Sequence, residues 1–269
     1  MRTARPLQAG EELAPGYAVL EHLHRGQALD AYAVWSAERD CPCVAKVVRP
    51  DRLEDVRTRR RLLREGRLLT TLSHPNIVRA YETLTRPQPT VVLETLTGAT
   101  VAYLIEVEHE RRGLPVADVA ELGLQLCSAI GYLHRHRLLH LDLKPSNVVA
   151  EDGRAKLIDL SIARAPGRAR HRAGTKLYMA PEQARGGMLG PAADVWGVGA
   201  LLYEAASGRR PFDASARVVY PQLDGGVRPV GKVRRLPRGL SAAIDACLER
   251  EPRLRPRVAE LAASLRPFA

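Results

Sequence analysis

The segment His140–Asn147 constrains this 269-residue chain more than any other stretch. It reads HLDLKPSN and sets an acid, a lysine and an asparagine at fixed offsets. An Asp152–Gly153 turn signal and a short apolar run follow, and the run ends at Asp159. This pattern predicts a hairpin over 147–160, which would bring the asparagine and Asp159 back to the same end.

These side chains suit phosphoryl transfer, a reaction that asks a protein mainly for positioning and charge neutralisation. Asp142 can accept a hydroxyl proton and orient the nucleophile, and Lys144 can place a point charge on the transferring phosphate. Asn147 and Asp159 offer the hard oxygen ligands that magnesium prefers. Each residue alone is more often a solvated loop residue, but the four at this spacing indicate a function.

The segment resembles the catalytic loop of eukaryotic-like (bacterial-type) serine/threonine protein kinases, HRDLKPEN in its usual form. Other stretches resemble further motifs of that family, in the family's order: Val44-Ala45-Lys46, Gly174–Glu182 (GTKLYMAPE), Asp194–Gly199 (DVWGVG) and Arg255-Pro256. The resemblance runs from about Tyr17 to Leu265. It implies the two-lobed α+β protein-kinase fold, with a small β-rich N-lobe containing one key helix and a larger, mainly helical C-lobe.

The domain boundaries follow from the same resemblance. We expect an N-terminal extension over 1–16 and a kinase domain over 17–269. Within that domain, the N-lobe would span about 17–96, the hinge about 94–98 and the C-lobe about 99–269. We expect no linker, repeat or sensor domain after it.

Apolar periodicity predicts the main elements. The expected strands are Tyr17–Leu23, Ala31–Ala37, Cys43–Val48, Ile77–Thr83 and Thr90–Glu94, and the expected helices are Glu54–Leu72, Val116–His136, a buried Asp194–Ser207 ended by Gly208, and Arg257–Leu265.

The first of these helices carries an acid on its apolar face. Its inward stripe consists of four residues, Val56, Leu62, Leu63 and Leu69. Glu65 shares that stripe, and a carboxylate that faces a core needs a partner. Lys46 is the expected partner; the alternative is a glutamate at the edge of the stripe that reaches solvent.

The resemblance implies roles for single residues. The implied catalytic residues are Asp142, Lys144, Lys46, Glu65 and Thr175. The implied contacts to ATP are Gly26, Ala31, Ala45, Lys46, the gatekeeper Leu93, Glu94 and Leu96 of the hinge, and Val149. Asn147 and Asp159 would hold Mg2+, with Mn2+ as the alternative ion. Thr175 together with Lys144 indicates serine/threonine specificity.

The scarcity of lysine supports retained nucleotide chemistry. Arginine supplies most of the positive charges of this chain. Its lysines are Lys46, Lys144, Lys156, Lys176 and Lys232. Two of these fall at the two kinase lysine positions, where the broad fork of arginine does not replace a compact ammonium.

Two departures from the family concern the nucleotide. The phosphate loop over 23–32 keeps Gly26, whereas His24 and Leu29 replace the other glycines of GxGxxG. We interpret His24 as an ordinary loop residue. Asp159-Leu160-Ser161 stands in place of DFG, and we expect a buried, hydrogen-bonded Ser161 and a stiffer turn.

A third departure concerns regulation. Leu141 stands where many kinases have an arginine that binds an activation-loop phosphate, and the loop Ile162–Ala173 contains no Ser, Thr or Tyr. We therefore expect no control by phosphorylation within this loop. Four arginines there favour acidic substrates or autoinhibition by charge: Arg164, Arg168, Arg170 and Arg172.

Composition limits the other functions. Hydrophobic residues at 45% and charged residues at 26% are typical of a soluble globular protein, and no apolar run reaches the length of a membrane span. The four cysteines show no framework spacing, and no apolar run follows the N-terminus, so we expect a cytoplasmic protein without a secretory signal. We interpret Cys41-Pro42-Cys43 as a turn, because two thiols make no metal site.

The net charge of +11 invites a nucleic-acid hypothesis. Only two Phe and two Trp are present, however, so the basic clusters lack the stacking rings of single-strand platforms. We expect no nucleic-acid partner, and an acidic or phosphorylated partner stays open.

Three functions remain. The first is an active serine/threonine kinase that acts on protein substrates with ATP. The second is a pseudokinase that acts as a nucleotide- or protein-binding scaffold, motivated by His24, Leu29 and Ser161. The third is a small-molecule phosphotransferase, against which the Ala180–Glu182 segment argues, because such enzymes generally lack it.

Overall fold

The computed structural model describes residues 5–108, 113–169, 173–213 and 219–269. The chain forms two compact units, of which the first ends at Thr97 and the second begins at Gly98.

The first unit is built on one antiparallel sheet with the strand order β1-β2-β3-β4-β6-β5. The strands are β1 Glu12–Ala14, β2 Tyr17–Arg25, β3 Leu29–Ser36, β4 Cys41–Val48, β5 Ala80–Leu84 and β6 Thr90–Glu94. Alternate residues of β3, among them Tyr32 and Val34, are buried, so one face of the sheet forms the core of the unit.

Strand β1 lies within the segment that the sequence sets apart as an extension. Its Leu13 and Ala14 are buried, and Ala14 pairs with Tyr17 across a turn in which Gly16 has φ +80°. The backbone N–H of Leu7 donates to the Tyr32 hydroxyl at 3.0 Å. These contacts tie the residues before Tyr17 to the sheet.

One helix packs on this sheet, α1 Val56–Thr71. The Asp55 carboxylate caps it by accepting the backbone N–H of Arg57 at 2.9 Å. A Cβ at Gly66 would lie 2.2 Å from the Thr83 Oγ1, so the helix approaches the sheet closely there. The expectation that Val56 faces the core is wrong: it is 52% exposed, because the helix begins before it reaches the sheet.

The turn predicted for Cys41–Cys43 is also wrong. Strand β4 begins at Cys41, and Pro42 pairs with Trp35 of β3. A proline fits there because the pairing of β4 with β6 starts only at Cys43. No hydrogen bond from the backbone nitrogen of Pro42 to β6 is therefore needed. All four cysteines are free thiols, and burial raises the pKa of Cys43 to about 11 and that of Cys127 to about 12.

Two further boundaries differ from expectation. The strand predicted at Ile77–Thr83 begins only at Ala80, where its backbone first pairs with Leu93 of β6. The residue His24, expected in a loop, lies in β2 opposite Ala31 and is exposed.

The second unit is mainly helical. Its helices are α2 Val101–Val107, α3 Val116–Arg135, α4 Pro181–Arg185, α5 Pro191–Ser207, α6 Arg238–Cys247 and α7 Val258–Leu265. Its strands form a sheet of β7 Ala99–Thr100, β8 Val148–Glu151 and β9 Arg154–Leu157, and a pair of β10 Gly167–Arg168 with β11 Met188–Leu189.

Helix α5 is the buried helix that the sequence predicts. A Cβ at Gly197 would lie 2.9 Å from the Leu143 Cβ, and one at Gly199 would lie 2.4 Å from the Cys247 Cβ. The two glycines therefore let neighbouring segments approach the helix closely. It begins at Pro191, earlier than the predicted Asp194, because proline fits the first helical turn, and it ends at Gly208, with φ +68°.

Among the described residues, α3 alone is long and apolar enough to cross a membrane by length and composition. Nine of its residues are buried against the rest of the unit, which is the packing of a core helix.

Candidate active site

The segment His140–Asn147 is anchored from α5. The buried Asp194 carboxylate accepts the backbone N–H of His140 at 2.9 Å and that of Leu141 at 2.8 Å, and it lies 2.8 Å from the His134 ring. Sequence reasoning missed this anchor. The available signal was an acid in a helix that is apolar nearly all round, because a buried carboxylate needs a partner.

Leu141 adopts a left-handed backbone conformation, with φ +66°. Such a conformation is uncommon for a residue other than glycine, and the two hydrogen bonds to Asp194 hold it in place. The Leu141 side chain is only 7% exposed. At this position many kinases have an arginine that binds phosphate, whereas this structure has a buried apolar side chain.

His140 is fully buried and supports the residue that follows Leu141. Its Nδ1 accepts the backbone N–H of Asp142 at 3.2 Å. Because Nδ1 accepts, the ring is neutral and its proton sits on Nε2. Burial, opposed by the nearby Asp194 carboxylate, lowers the pKa of His140 from its ordinary value.

This lowered pKa predicts a loss of stability in mild acid. Unfolded His140 takes up a proton below about pH 6.5, whereas the folded ring resists it, so the stabilisation present above that pH is lost as pH falls. We expect the free energy of unfolding to fall by at most about 1.4 kcal/mol per pH unit from this group. Urea titrations between pH 7.5 and 5 measure the slope.

The matched variants are His140→Phe, which should flatten this slope, and His136→Asn at an exposed histidine, which should leave it unchanged. Equal slopes in the wild type and in His140→Phe would contradict the account.

Asp142 is held in a fixed orientation by three neighbours. Its Oδ1 accepts the backbone N–H of Thr175 at 2.7 Å and the Thr175 hydroxyl at 2.8 Å. The Lys144 Nζ donates to the Thr175 Oγ1 at 2.9 Å and lies 3.3 Å from the Asp142 Oδ2. The Asn147 Nδ2 donates to that same Oδ2 at 3.2 Å. The structure thus brings together four of the residues singled out in the sequence.

The predicted hairpin over 147–160 is present as β8 and β9. At its base the backbone N–H of Ile158 donates to the carbonyl of Asn147 at 3.1 Å, so Asn147 and Asp159 lie at the same end. The Asp159 Oδ1 accepts the backbone N–H of Ser161 at 2.7 Å, and Ser161 is buried, as expected. Leu160 is 1% exposed and fills an apolar position.

These two residues fit a hard divalent cation. The Asn147 amide nitrogen is turned to Asp142, which leaves the Oδ1 for a cation, and Asp159 supplies a carboxylate. The described residues contain no group of three or more His, Cys, Asp or Glu that could hold a metal ion alone. The donor set therefore suits an ion that also binds the phosphates of a ligand.

In the first unit, Lys46 and Glu65 form the expected pair. The Lys46 Nζ lies 3.0 Å from the Glu65 Oε1, and the Glu65 side chain is 1% exposed. Lys46 is placed by β4, where it pairs with Ala31 on one side and Val91 on the other. The glutamate is therefore not at a solvent-reaching edge of α1.

The turn between β2 and β3 is braced by side chains that sequence reasoning missed. The buried Asp30 carboxylate binds Arg25 through two bonds of 2.9 Å and lies 3.2 Å from the His22 ring. Burial raises the pKa of Asp30, but the bonds from Arg25 and His22 outweigh it, so the pKa is lowered overall. Arg49 donates to the carbonyl of Gly26 at 3.1 Å. An ion pair thus holds the turn that glycines would leave flexible.

Five further residues with implied contacts to ATP fall on four strands, and a sixth, Leu96, lies outside them. Ala31 of β3 pairs with Lys46 of β4, and Ala45 pairs with Tyr32. Ala45 and Leu93 are buried. Glu94 ends β6, and its carboxylate accepts the backbone N–H of Arg79 at 2.9 Å, while Leu96 follows outside the strand. Val149 lies on β8 in the second unit and is 7% exposed. Their contacts with a nucleotide stay predictions.

The segment after Asp159 is pinned at both ends. Arg164 pairs through its backbone with Leu139, and its guanidinium donates to the carbonyl of Arg168 at 3.0 Å. Arg170 and Arg172, two of the four arginines singled out above, lie outside the described residues. At the far end, Arg255 binds Glu182 through two buried bonds of 2.7 and 2.8 Å.

Comparison with known sequences decides the family. The family described as protein kinase domain matches residues 17–265. The chain belongs to the protein kinase domain family. Its two units are the β-rich N-lobe and the mainly helical C-lobe of that fold, which confirms the predicted fold class.

Three similar proteins carry kinase names. Serine/threonine-protein kinase PknB of Mycobacterium leprae is 31% identical over 215 residues, which cover 75% of this chain and 34% of that protein. A probable serine/threonine-protein kinase of Streptomyces coelicolor is 31% identical over 216 residues, covering 75% and 32%. Serine/threonine-protein kinase 36 of Pongo abelii is 37% identical over 162 residues, covering 58% and 12%. The chain thus matches about a third or less of the length of these relatives.

Proposed function

We propose that this protein transfers the γ-phosphoryl group of ATP to serine and threonine hydroxyls of protein substrates. The observation that carries the proposal is the arrangement of Asp142, Thr175 and Lys144, in which one carboxylate is oriented by a threonine that also binds the lysine. The serine/threonine kinase names of the relatives support the same reaction.

Each residue has a role that its environment allows. Asp142 orients the substrate hydroxyl and takes its proton. Lys144 neutralises charge on the phosphoryl group during its transfer. Lys46, held by the buried Glu65, binds the non-transferred phosphates. Asn147 and Asp159 would hold the divalent cation, Mg2+ with Mn2+ as the alternative, and this cation would neutralise phosphate charge. The reaction is a positioning problem, and the Asp142 and Lys46 side chains are each held by hydrogen bonds or ion pairs.

The remaining assignments are proposals of the same kind. The Gly26 turn, braced by the Arg25–Asp30 ion pair, contacts the phosphates, and Ala31, Ala45, Leu93, Glu94, Leu96 and Val149 contact the adenosine. The protein acts in cytoplasmic signalling, without control by phosphorylation inside the loop 162–173.

The test is transfer of labelled phosphate from ATP to the protein and to a generic basic substrate. We expect transfer that requires a divalent cation and yields phosphoserine and phosphothreonine. Lys46→Met should lower the rate at least about 100-fold, because a preorganised charge on the phosphates is lost. Lys232→Met, at an exposed lysine, is the matched control and should leave the rate unchanged. A folded wild type that binds ATP without transferring phosphate would establish the scaffold function instead.

A further inference from the structure

In many kinases a phosphorylated residue of the activation segment, here residues 159–182, is bound by an arginine of the catalytic loop; we call this pair a phosphate latch. This chain lacks both members of the pair. Leu141 is apolar and buried, and the loop Ile162–Ala173 offers no hydroxyl to phosphorylate. The contacts of Thr175 with Asp142 are nevertheless formed. Some other group must hold the end of the loop beside the catalytic segment.

Gln183 occupies the position that this task requires. It lies on α4 and is 3% exposed. Its side-chain Nε2 donates to the carbonyl of Leu141 at 2.8 Å and also to the carbonyl of Ala173. Both acceptors are backbone carbonyls, which cannot donate, so the amide must point its nitrogen towards them. One side chain thus bonds the residue before Asp142 and a residue two before Thr175.

The backbone around this amide leaves no spare room. Gly174 has φ +121°, and a Cβ there would lie 2.7 Å from the Gln183 Nε2 and 2.8 Å from the Leu141 carbonyl oxygen. A glycine is therefore required for the two carbonyls to meet around one amide. Thr175 follows at once, so its position beside Asp142 depends on where Gly174 is held.

The support under Gln183 is rigid. The preceding residue, Glu182, is fixed by two buried bonds to Arg255. The helix ends at Gly186, with φ +76°, whose backbone N–H donates to the Gln183 carbonyl. The amide is held by its own helix, so it can act on the loop and need not follow it.

We propose that Gln183 is a positioning residue that holds the Asp142–Thr175 contact in place of a phosphate latch. Its side-chain amide donates to the carbonyls of Leu141 and Ala173, and not to Asp142 itself. Its effect is on the geometry of the catalytic aspartate, through the carbonyls of Leu141 and Ala173. The inference rests on the proposed kinase function for its kinetic readout.

The isosteric variant Gln183→Glu tests it. The variant keeps the size of the side chain but sets a carboxylate against two carbonyl oxygens, so the hydrogen bonds become repulsions. We expect kcat to fall about 10- to 100-fold at pH 8, as loss of a buried hydrogen bond implies, while KM for ATP stays unchanged.

The pH profile separates positioning from a structural role. As pH falls from 8 to 6, the introduced carboxyl takes up a proton and regains one donor, so kcat relative to the wild type should rise. Dividing by the wild-type value at each pH cancels the pH effects that the two proteins share, including any from the ionisable groups nearby: Asp142, Lys144, His140, Glu182 and Arg255. Gln183→Met, of similar size but without a donor, should lose kcat without any recovery at low pH.

Gln125→Glu is the matched control. Gln125 is half-buried on α3, and its amide holds the β8–β9 turn by donating to the Gly153 carbonyl at 2.8 Å. This variant should keep the wild-type kcat. A Gln183→Glu variant with wild-type kcat at pH 8, or with a loss that does not recover in acid, would overturn the proposal.

A second measurement separates the role of Gln183 from the proposed kinase activity. Hydrogen exchange of the Thr175 amide, which is bonded to Asp142, should accelerate at least about tenfold in Gln183→Met, since the hold on the preceding residues is lost. If the wild type transfers no phosphate, the proposed function fails, and this measurement still decides the role of Gln183. Unchanged exchange at Thr175 would overturn that role.

Discussion

Replacing Asp142 by asparagine should lower the rate of phosphoryl transfer about 10²- to 10⁴-fold and leave the protein folded. The range is that of a lost general base, because an amide cannot take the hydroxyl proton. The amide oxygen can still accept the two bonds that Thr175 donates to the Asp142 Oδ1, which should keep the local structure. The contacts of the Oδ2 with Lys144 and Asn147 are lost, because an amide nitrogen takes its place. Initial rates at saturating ATP measure the effect, and thermal unfolding checks the fold.

Asp152→Asn is the matched control for this prediction. Asp152 lies exposed in the β8–β9 turn of the same unit, and its replacement should change neither rate nor stability measurably. A rate for Asp142→Asn within a factor of three of the wild type would contradict the assignment of Asp142.

The largest effect on stability is expected at Arg255. Its guanidinium is fully buried and makes two bonds to Glu182, with further bonds to the carbonyls of Ala192 and Glu249. Arg255→Met leaves the Glu182 carboxylate buried without its cation, which should cost about 3–5 kcal/mol of unfolding free energy. Urea unfolding measures the loss.

A double-mutant cycle identifies its cause. Adding Glu182→Gln to Arg255→Met removes the uncompensated charge and should restore part of the loss, though not the bonds to the two carbonyls. Arg257→Met, at an exposed arginine paired with Glu260, is the control and should have little effect. If the double variant is less stable than the sum of the single losses predicts, the buried pair is not the cause.

Local patterns in the sequence were sufficient for contacts within one element or between neighbours. The hairpin of β8 and β9 could be predicted because a turn signal separates two short apolar runs. The Lys46–Glu65 pair could be predicted because helical spacing sets an acid on an apolar face. The same spacing misplaced Val56, since periodicity shows which face is inward but not where a helix meets its sheet.

The missed features are bonds between segments distant in sequence. Asp194 anchors the backbone at His140, and Gln183 bonds the carbonyl of Leu141. Side chains that bind backbone groups of another segment leave no periodicity, so only the packed structure reveals them. The Arg25–Asp30 pair was missed for a different reason. The interpretation of this turn considered the glycines that are absent and not the charged residues on either side of it.

Phosphate transfer without prior phosphorylation is tested most directly by a time course. Wild-type protein is fully dephosphorylated by a phosphatase, freed of the phosphatase and then given ATP. We expect transfer to serine and threonine at full rate from the first time point, because Gln183 already holds the segment that a phosphate would otherwise order. No transfer, or transfer only after a lag that a separate active kinase removes, would contradict this expectation.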